Sequence, residues 1–347
     1  MKNKWYIAVC SLVLATALTT SCDALRIDED LSDCKADFHV SYSVTLRTNL
    51  RTQIQTVLRS RFETEVADLL EDSLRNIFRE YAHDVDLSFY IQNSRSYHDS
   101  KVMDANQATY ELELPANDYR HLALANINEE KDVDVVQPQW ADRSYLSQEG
   151  GDVILGHHTG LFSARRDMDI VGNQNQTFDV TLYMVNCASI LVLRTDLEKN
   201  VVYKDCQVYS SDFADGFMVN DSTFTFGKDQ MIHDFRVTTP PVEREVFYAV
   251  SFPSHDTAEE AQVSRADNPS GQTGAQDDER IWRKYVYVTL PDGSVTRTVI
   301  NVREPLQAGQ IYIIYAYMRP DGSIFSPNVE VSTSVTLKWK DGLIIGG

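Results

Sequence analysis

Hydrophobic and polar positions alternate along much of the chain, beginning with DFHVSYSVTL, where Phe38, Val40, Tyr42, Val44 and Leu46 are separated by polar residues. A period of two puts every second side chain on one side of an extended backbone, so this segment predicts a strand buried on one face. The same alternation recurs at Val85, Leu87, Phe89 and Ile91, and again at Tyr110, Leu112 and Leu114. Between the first two segments the period changes. Ile54, Leu58, Phe62, Val66, Leu70, Leu74, Ile77 and Tyr81 recur at three- or four-residue steps with charges between them. That spacing gathers them into one helical stripe. No Pro or Gly interrupts residues 50–81 and Asn49 offers a cap, so one long helix over 50–81 is predicted, laid across a sheet as core packing.

From residue 150 onward the clusters TFDVTLYMV, SILVLRT, VVYKDCQVY, MIHDFRVTT, REVFYAVSF, KYVYVTL, SVTRTVINV, IYIIYAYM and NVEVSTSVTLKW all read as short strands. Pro291-Asp292-Gly293 and Pro320-Asp321-Gly322 supply turns between them. Many short strands at this spacing argue for a mainly β chain built as antiparallel sandwiches, not βαβ units. Residues 254–280 lack an apolar period and are rich in Asp, Ser, Gly and Gln, which reads as a mobile loop. The stretch from GGDVILGHHTG through VGNQNQT is the expected boundary region, dividing the body into domains over 37–172 and 173–347.

The first residues follow another logic. Lys2 and Lys4 precede an uncharged run from Trp5 to Leu18, then Thr19, Thr20, Ser21 and Cys22. A basic start, a short apolar stretch and small residues form an export signal over 1–21. The apolar run falls short of the roughly 20 residues that cross a bilayer. A cysteine directly after small residues is where a bacterial lipoprotein signal places its lipid. Cys22 is therefore the expected attachment atom for a diacylglyceryl and acyl lipid, the alternative being simple secretion with an unmodified thiol. Residues 22–36 then form an acidic tether.

The chain has 347 residues and a formal net charge of −19. Removing the signal takes away two lysines and no acids, leaving −21. Such a chain repels nucleic acid and anionic membrane surfaces, so membrane association would come from lipid and not from a basic patch. Cys10 leaves with the signal. Of the remaining thiols, Cys187 and Cys206 flank an apparent turn at 196–200 and could face each other across a hairpin as a disulfide, or stand as separate buried thiols; Cys34 has no evident partner.

Signals for chemistry are sparse. G-x-S-x-G, a phosphate-cradling glycine loop and C-x-x-C are absent. His157 and His158 are adjacent, but successive strand residues point to opposite faces, so the pair is a poor metal site. Tyr and Phe mostly occupy alternating strand positions, which favours packing over a sugar-stacking platform. No catalytic residue, cofactor or metal is assigned.

Taken in order, the lipoprotein signal, the DLSDC run leading into FHVSYSVTL, the helix before VDLSFYIQ, the VTLYMVNCASILVLRTD segment and the closing VSTSVTLKW resemble the FimB-like fimbrial anchor family of Bacteroidales. The resemblance implies two transthyretin-like β-sandwich domains, a lipidated N-terminus in the outer membrane, contact with fimbrial shaft subunits and a role in cell adhesion. It leaves open a surface glycan-binding lipoprotein or a fimbrial tip adhesin. The last segment, with Val329, Val331, Val335, Leu337 and Trp339 on one face, either completes its own domain or is donated to a shaft subunit as an added strand.

Overall fold

The computed structural model describes residues 37–47, parts of 53–77, and 82–103, 109–172, 174–195, 201–238, 243–267, 279–327 and 329–336. In chain order the first elements are β1 (Asp37–Arg47), α1 (Thr64–Ser73), β2 (Asp84–Ile91), β3 (Ser94–Val102), β4 (Thr109–Pro115) and β5 (Asn117–Ala125). Short strands β6 (Val133–Val136), β7 (Tyr145–Gln148) and β8 (Val153–Leu155) lead to β9 (Phe162–Ile170) and β10 (Gln176–Met184). Next come β11 (Cys187–Arg194), β12 (Asp205–Ser211), β13 (Gly216–Met218), β14 (Thr223–Thr225), β15 (Met231–His233), β16 (Phe235–Arg236) and β17 (Arg244–Ser251). After α2 (Ala258–Asp267) the chain closes with β18 (Trp282–Thr289), β19 (Val295–Val302), β20 (Ile311–Met318), β21 (Ile324–Phe325) and β22 (Glu330–Thr336).

These strands form four sheets. The first has seven strands in the order β3-β2-β5-β9-β10-β1-β4, and a small sheet, β14-β13-β7-β6, accompanies it. The other two are β16-β17-β11-β20-β21 and β22-β19-β18-β12-β15-β8. The chain is mainly β, as its alternation predicts. The sheets are not wholly antiparallel, because β1 runs parallel to β10, β11 to β20 and β15 to β8. The first two of those pairs join strands more than a hundred residues apart, which alternation within each strand cannot reveal. Strand β10 belongs to the seven-stranded sheet, so that sheet reaches Met184, and the five-stranded sheet opens at Cys187.

The layers share their cores through β11. Its ASILVL run is buried on both sides, the signature of an interior strand. Ala188, Ile190 and Val192, with Val246 and Val250 of β17, close a first core against α1 and one face of the seven-stranded sheet. Leu191 and Leu193 point the other way, into a second core against β12, β18 and β19. Val66, Leu70, Leu74 and Ile77 of the helical stripe are all buried in the first core, each burial worth roughly 1.5–3 kcal/mol. On the opposite face of the seven-stranded sheet, Tyr90, Leu122 and Leu124 pack against Leu146, Phe217 and Val219 of the small-sheet region.

Two helical expectations change. The described helix ends at Ser73 and gives way to turns, with Ile77 N–H donating to Leu74 O at 3.0 Å, so it does not run unbroken to residue 81. Ile54, Leu58, Phe62 and Tyr81 lie outside the described residues. Conversely, part of the stretch read as a loop is helical over Ala258–Asp267. Thr257 caps it, its hydroxyl accepting the Glu260 N–H at 3.2 Å and its carbonyl accepting the Ala261 N–H at 3.2 Å.

Candidate functional site

Cys22, Cys34, Leu337 and Trp339 lie outside the described residues. Val329 is half-buried against the second core. Val331 and Val335 are registered opposite Ile300 and Thr296, both fully buried in the adjoining strand β19. This register aligns the closing segment with its own six-stranded sheet.

The hairpin expected to face Cys187 with Cys206 does not form. Strand β11 pairs with β17 and β20, while β12 pairs with β15 and β18 in another sheet, and both thiols are free and buried in the second core. Consecutive strands have crossed from one sheet to the next, so sequence proximity did not make them neighbours. Burial pushes the Cys187 thiol up to about 12, despite a hydrogen bond to Ser251, and burial also holds Cys206 well above its ordinary value. Neither is poised as a nucleophile.

The adjacent histidines serve a junction between layers. His157 is fully buried, its Nε2 2.6 Å from Gln148 Oε1, and its backbone N–H donates to Val250 O at 2.7 Å. Burial holds its ring down to about 3. His158 is exposed, and Glu130 Oε2 accepts the backbone N–H groups of His158 and Thr159 at 2.7 and 3.3 Å. Gly160 is required because a Cβ there would lie 2.3 Å from Ile77 O, where the turn after α1 passes. The two histidines lie in the segment after β8, not in a strand, one ring buried and the other exposed, and among the described residues no group of three His, Cys, Asp or Glu is placed to hold a metal ion.

Two further polar centres sit inside the cores. His121 Nδ1 is 3.0 Å from Ser88 O, a pure acceptor, so Nδ1 carries the proton and Nε2 accepts from the Tyr42 hydroxyl at 2.5 Å. Burial lowers the imidazole to about 4 and raises the phenol. In the second core, the fully buried Lys284 ammonium donates to Ser189 Oγ at 3.0 Å, to Ser210 Oγ at 2.7 Å and to Asp234 Oδ2. Ser210 also donates to Asp234 Oδ1 at 2.7 Å. All three ammonium protons are satisfied, and the network joins the two sheets. Burial holds Lys284 below its ordinary value, against the opposing pull of Asp234. Both centres are sealed from solvent and serve packing.

The strand edges are the other surfaces that the fold offers for contact. Two of the long edges carry their own protection. Strand β3 bears Arg95, His98, Asp99 and Lys101 and is interrupted by a bulge; β4 alternates buried Tyr110, Leu112 and Leu114 with exposed Glu111 and Glu113. Strands β6, β8, β14, β16 and β21 are edges of two to four residues. Strand β22 differs, with seven residues, EVSTSVT, charged only at Glu330. It pairs with β19 on one side and ends the six-stranded sheet on the other. Among the described strands it is the long edge least guarded against a further strand.

No family model matches the chain, and comparison with curated proteins finds no match. Solved structures with a similar strand framework include a candidate adhesin from Bacteroides ovatus, at 11% identity over 79% of this chain and 85% of that one, with a TM-score of 0.48. A fimbrial assembly protein from Parabacteroides distasonis is similar at 10% identity over 86% of this chain and 99% of that one, TM-score 0.41. The fimbrial anchor protein Mfa2 from Porphyromonas gingivalis is similar at 10% identity over 86% of this chain and 99% of its own, TM-score 0.47.

Proposed function

We propose that the protein is a surface-exposed outer-membrane lipoprotein that anchors or caps a fimbrium, holding the membrane through lipid on Cys22 and a shaft subunit along the β22 edge. The observation that carries the reading is that edge, a seven-residue strand uncharged after its first residue while the other long edges are charged. Strand addition supplies main-chain hydrogen bonds for affinity and side-chain alternation for register. A contact of that kind bears load along the strand direction without a pocket or cofactor.

The N-terminal sequence supports the other half. A cysteine after Thr19-Thr20-Ser21 supplies an attachment atom, and residues 22–36, fully extended, reach at most about 50 Å before β1 begins. With net charge −21 after removal of the signal, acyl chains and not the protein surface would provide membrane affinity. The work is mechanical on this reading, and no catalytic step is assigned.

Cys22→Ala, followed by cell fractionation and counting of fimbriae on intact cells, tests the anchor. Release of the protein and shedding of fimbriae are expected; a variant that stays membrane-bound with normal fimbriae overturns the lipid reading. Deleting residues 340–347 separates the tail from the edge. Full retention of fimbriae removes the tail as a donated strand and leaves β22 itself as the contact.

A further inference from the structure

We propose that a cleft between the β2–β3 hairpin and the small sheet binds a single neutral hexopyranose. The cleft has a volume of about 200 Å³; Asp86 and Ser88 of β2 stand beside their cross-strand partners Leu124 and Leu122 on one sheet face, with Arg95 and His98 of β3 at their side and Val135, Pro138 and Val219 also lining it. Its volume is below the roughly 300–1,000 Å³ of pockets for drug-sized ligands, which suits a ligand the size of one sugar ring.

A backbone irregularity builds the polar part of the lining. Alternation along SRSYHDSKV would put Arg95 on the same face as Tyr97, turned toward the first core. The register shifts between Phe89 and Tyr90, so that Tyr97 pairs with Phe89 but Arg95 pairs with Tyr90, and Ser96 is the extra residue. Tyr90, Ser88 and Asp86 share the cleft face of β2, and the bulge brings Arg95 to that face beside His98, which pairs with Ser88. Re-aiming one side chain in this way is the usual consequence of a bulge near a functional site. The Ser96 hydroxyl donates to Phe89 O at 3.1 Å and fixes the bulge.

The hairpin is also held in place. Gln92 and Asn93 turn with φ of 47° and 73°, the two-residue geometry that matches strand twist. Asn93 Nδ2 donates to Asp142 Oδ1 at 2.7 Å, Asp142 N–H returns a bond to Asn93 Oδ1 at 2.8 Å, and Arg95 N–H donates to Gln139 O at 3.0 Å. The Tyr90 hydroxyl donates to Pro138 O at 2.7 Å at the end of the cleft. Two residues further on, Trp140 bridges Ser94 and is 39% exposed, a large apolar surface left at the rim.

The chemistry of the lining selects the ligand. Asp86 accepts from His98 Nε2 at 2.6 Å and from Ser88 Oγ at 3.3 Å, so carboxylate, imidazole, hydroxyl and guanidinium converge. An anion would meet Asp86 and a cation would meet Arg95. A purely apolar group would strand both. A pyranose presents hydroxyls around its rim and C–H bonds on its faces, matching a lining in which the polar group of Asp86, Ser88, Arg95 and His98 adjoins the aliphatic side chains of Leu122, Leu124, Val135 and Val219. The inference stands apart from the anchor reading, since sugar binding by purified protein does not depend on lipid or on β22.

Chemical-shift titration of the purified protein with glucose, galactose, mannose, fucose and N-acetylglucosamine, each to ~50 mM, tests it. Saturable shifts from at least one sugar, centred on residues 86–98 and 135–140, are expected. Asp86→Asn, which preserves shape, and Arg95→Ala should each weaken that binding roughly tenfold or more, the loss of a charge-assisted hydrogen bond. Asp118→Asn, on the same sheet and away from the cleft, should leave it unchanged. No saturable shift from any of the five sugars overturns the proposal, as does binding of inorganic phosphate in their place or affinity unaltered in both cleft variants.

Discussion

The first core buries a tyrosine and an imidazole as a neutral pair, whereas the second buries a lysine and an aspartate with two serines around them. The neutral pair needs only one proton arrangement and gives up its fit when a proton is added. The charged group carries a large desolvation cost, offset by a complete set of acceptors, and gives up its fit when a partner is removed. The two halves of one chain should therefore fail differently, the first to acid and the second to substitution.

The largest expected effect comes from the second core. Lys284→Met strands Asp234 as a buried carboxylate and should cost about 3–5 kcal/mol in denaturant unfolding. Replacing both partners, as Lys284→Met with Asp234→Leu, should recover much of that loss, because neither charge is then left alone. A double variant as unstable as the sum of its two single variants would show that the pair does not act as a unit.

Acid is the corresponding probe of the first core. His121 titrates near 4 in the folded chain, against about 6.5 unfolded, so below the unfolded value the unfolded chain gains a proton that the folded chain refuses. The stability this neutral ring contributes is present above pH ~6.5 and is lost as pH falls toward 4, amounting to roughly 3 kcal/mol. His157, held down to about 3, adds a loss of the same sign that begins at the same pH and extends further into acid. The test is unfolding at a series of pH values from about 4.5 to about 6.5, between the folded and unfolded values of the ring. His121→Gln should flatten the slope, whereas Lys284→Met should shift the whole curve; an unchanged slope in His121→Gln would remove the imidazole as its source. A smaller effect belongs to its partner: Tyr42→Phe leaves the Nε2 acceptor unpaired and should cost about 1–3 kcal/mol at neutral pH.

The contrast between cores was only partly legible in the sequence. Alternation revealed β4 because it buries one face, and β1 and β2 because their apolar residues fall at every second position, although β2 is buried on both faces. It did not reveal partners, and so Cys187 and Cys206 were expected across a hairpin that the crossing from one sheet to another abolishes. The helical stripe ran past the helix itself, because the turns after Ser73 still direct Leu74 and Ile77 into the core. The cleft was illegible for a related reason: a single extra residue, Ser96, reverses the face that alternation assigns to Arg95. His121 gave no signal, since an isolated histidine in NDYRHLALA becomes informative only when Tyr42 is brought to it by folding.

Helix α2 touches the second core through its first residue, Ala258, and is otherwise largely exposed over 259–263, which sharpens the comparison. It shows no apolar stripe, and Ala261 is buried while Glu259, Glu260, Gln262 and Val263 are exposed, so periodicity could not reveal it. Its sequence mark is the T-x-x-E spacing from Thr257 to Glu260, with acidic residues in the first turn where the helix dipole favours them. Thr257→Ala removes the hydroxyl that accepts the Glu260 N–H and should cost about 1 kcal/mol of local helix stability. Because so little of α2 is buried, that loss should appear as faster amide hydrogen exchange within 258–267 with global unfolding unchanged. If Thr257→Ala lowered global stability as Lys284→Met does, α2 would be coupled to the second core, and the division into two independently failing interiors would need a third member.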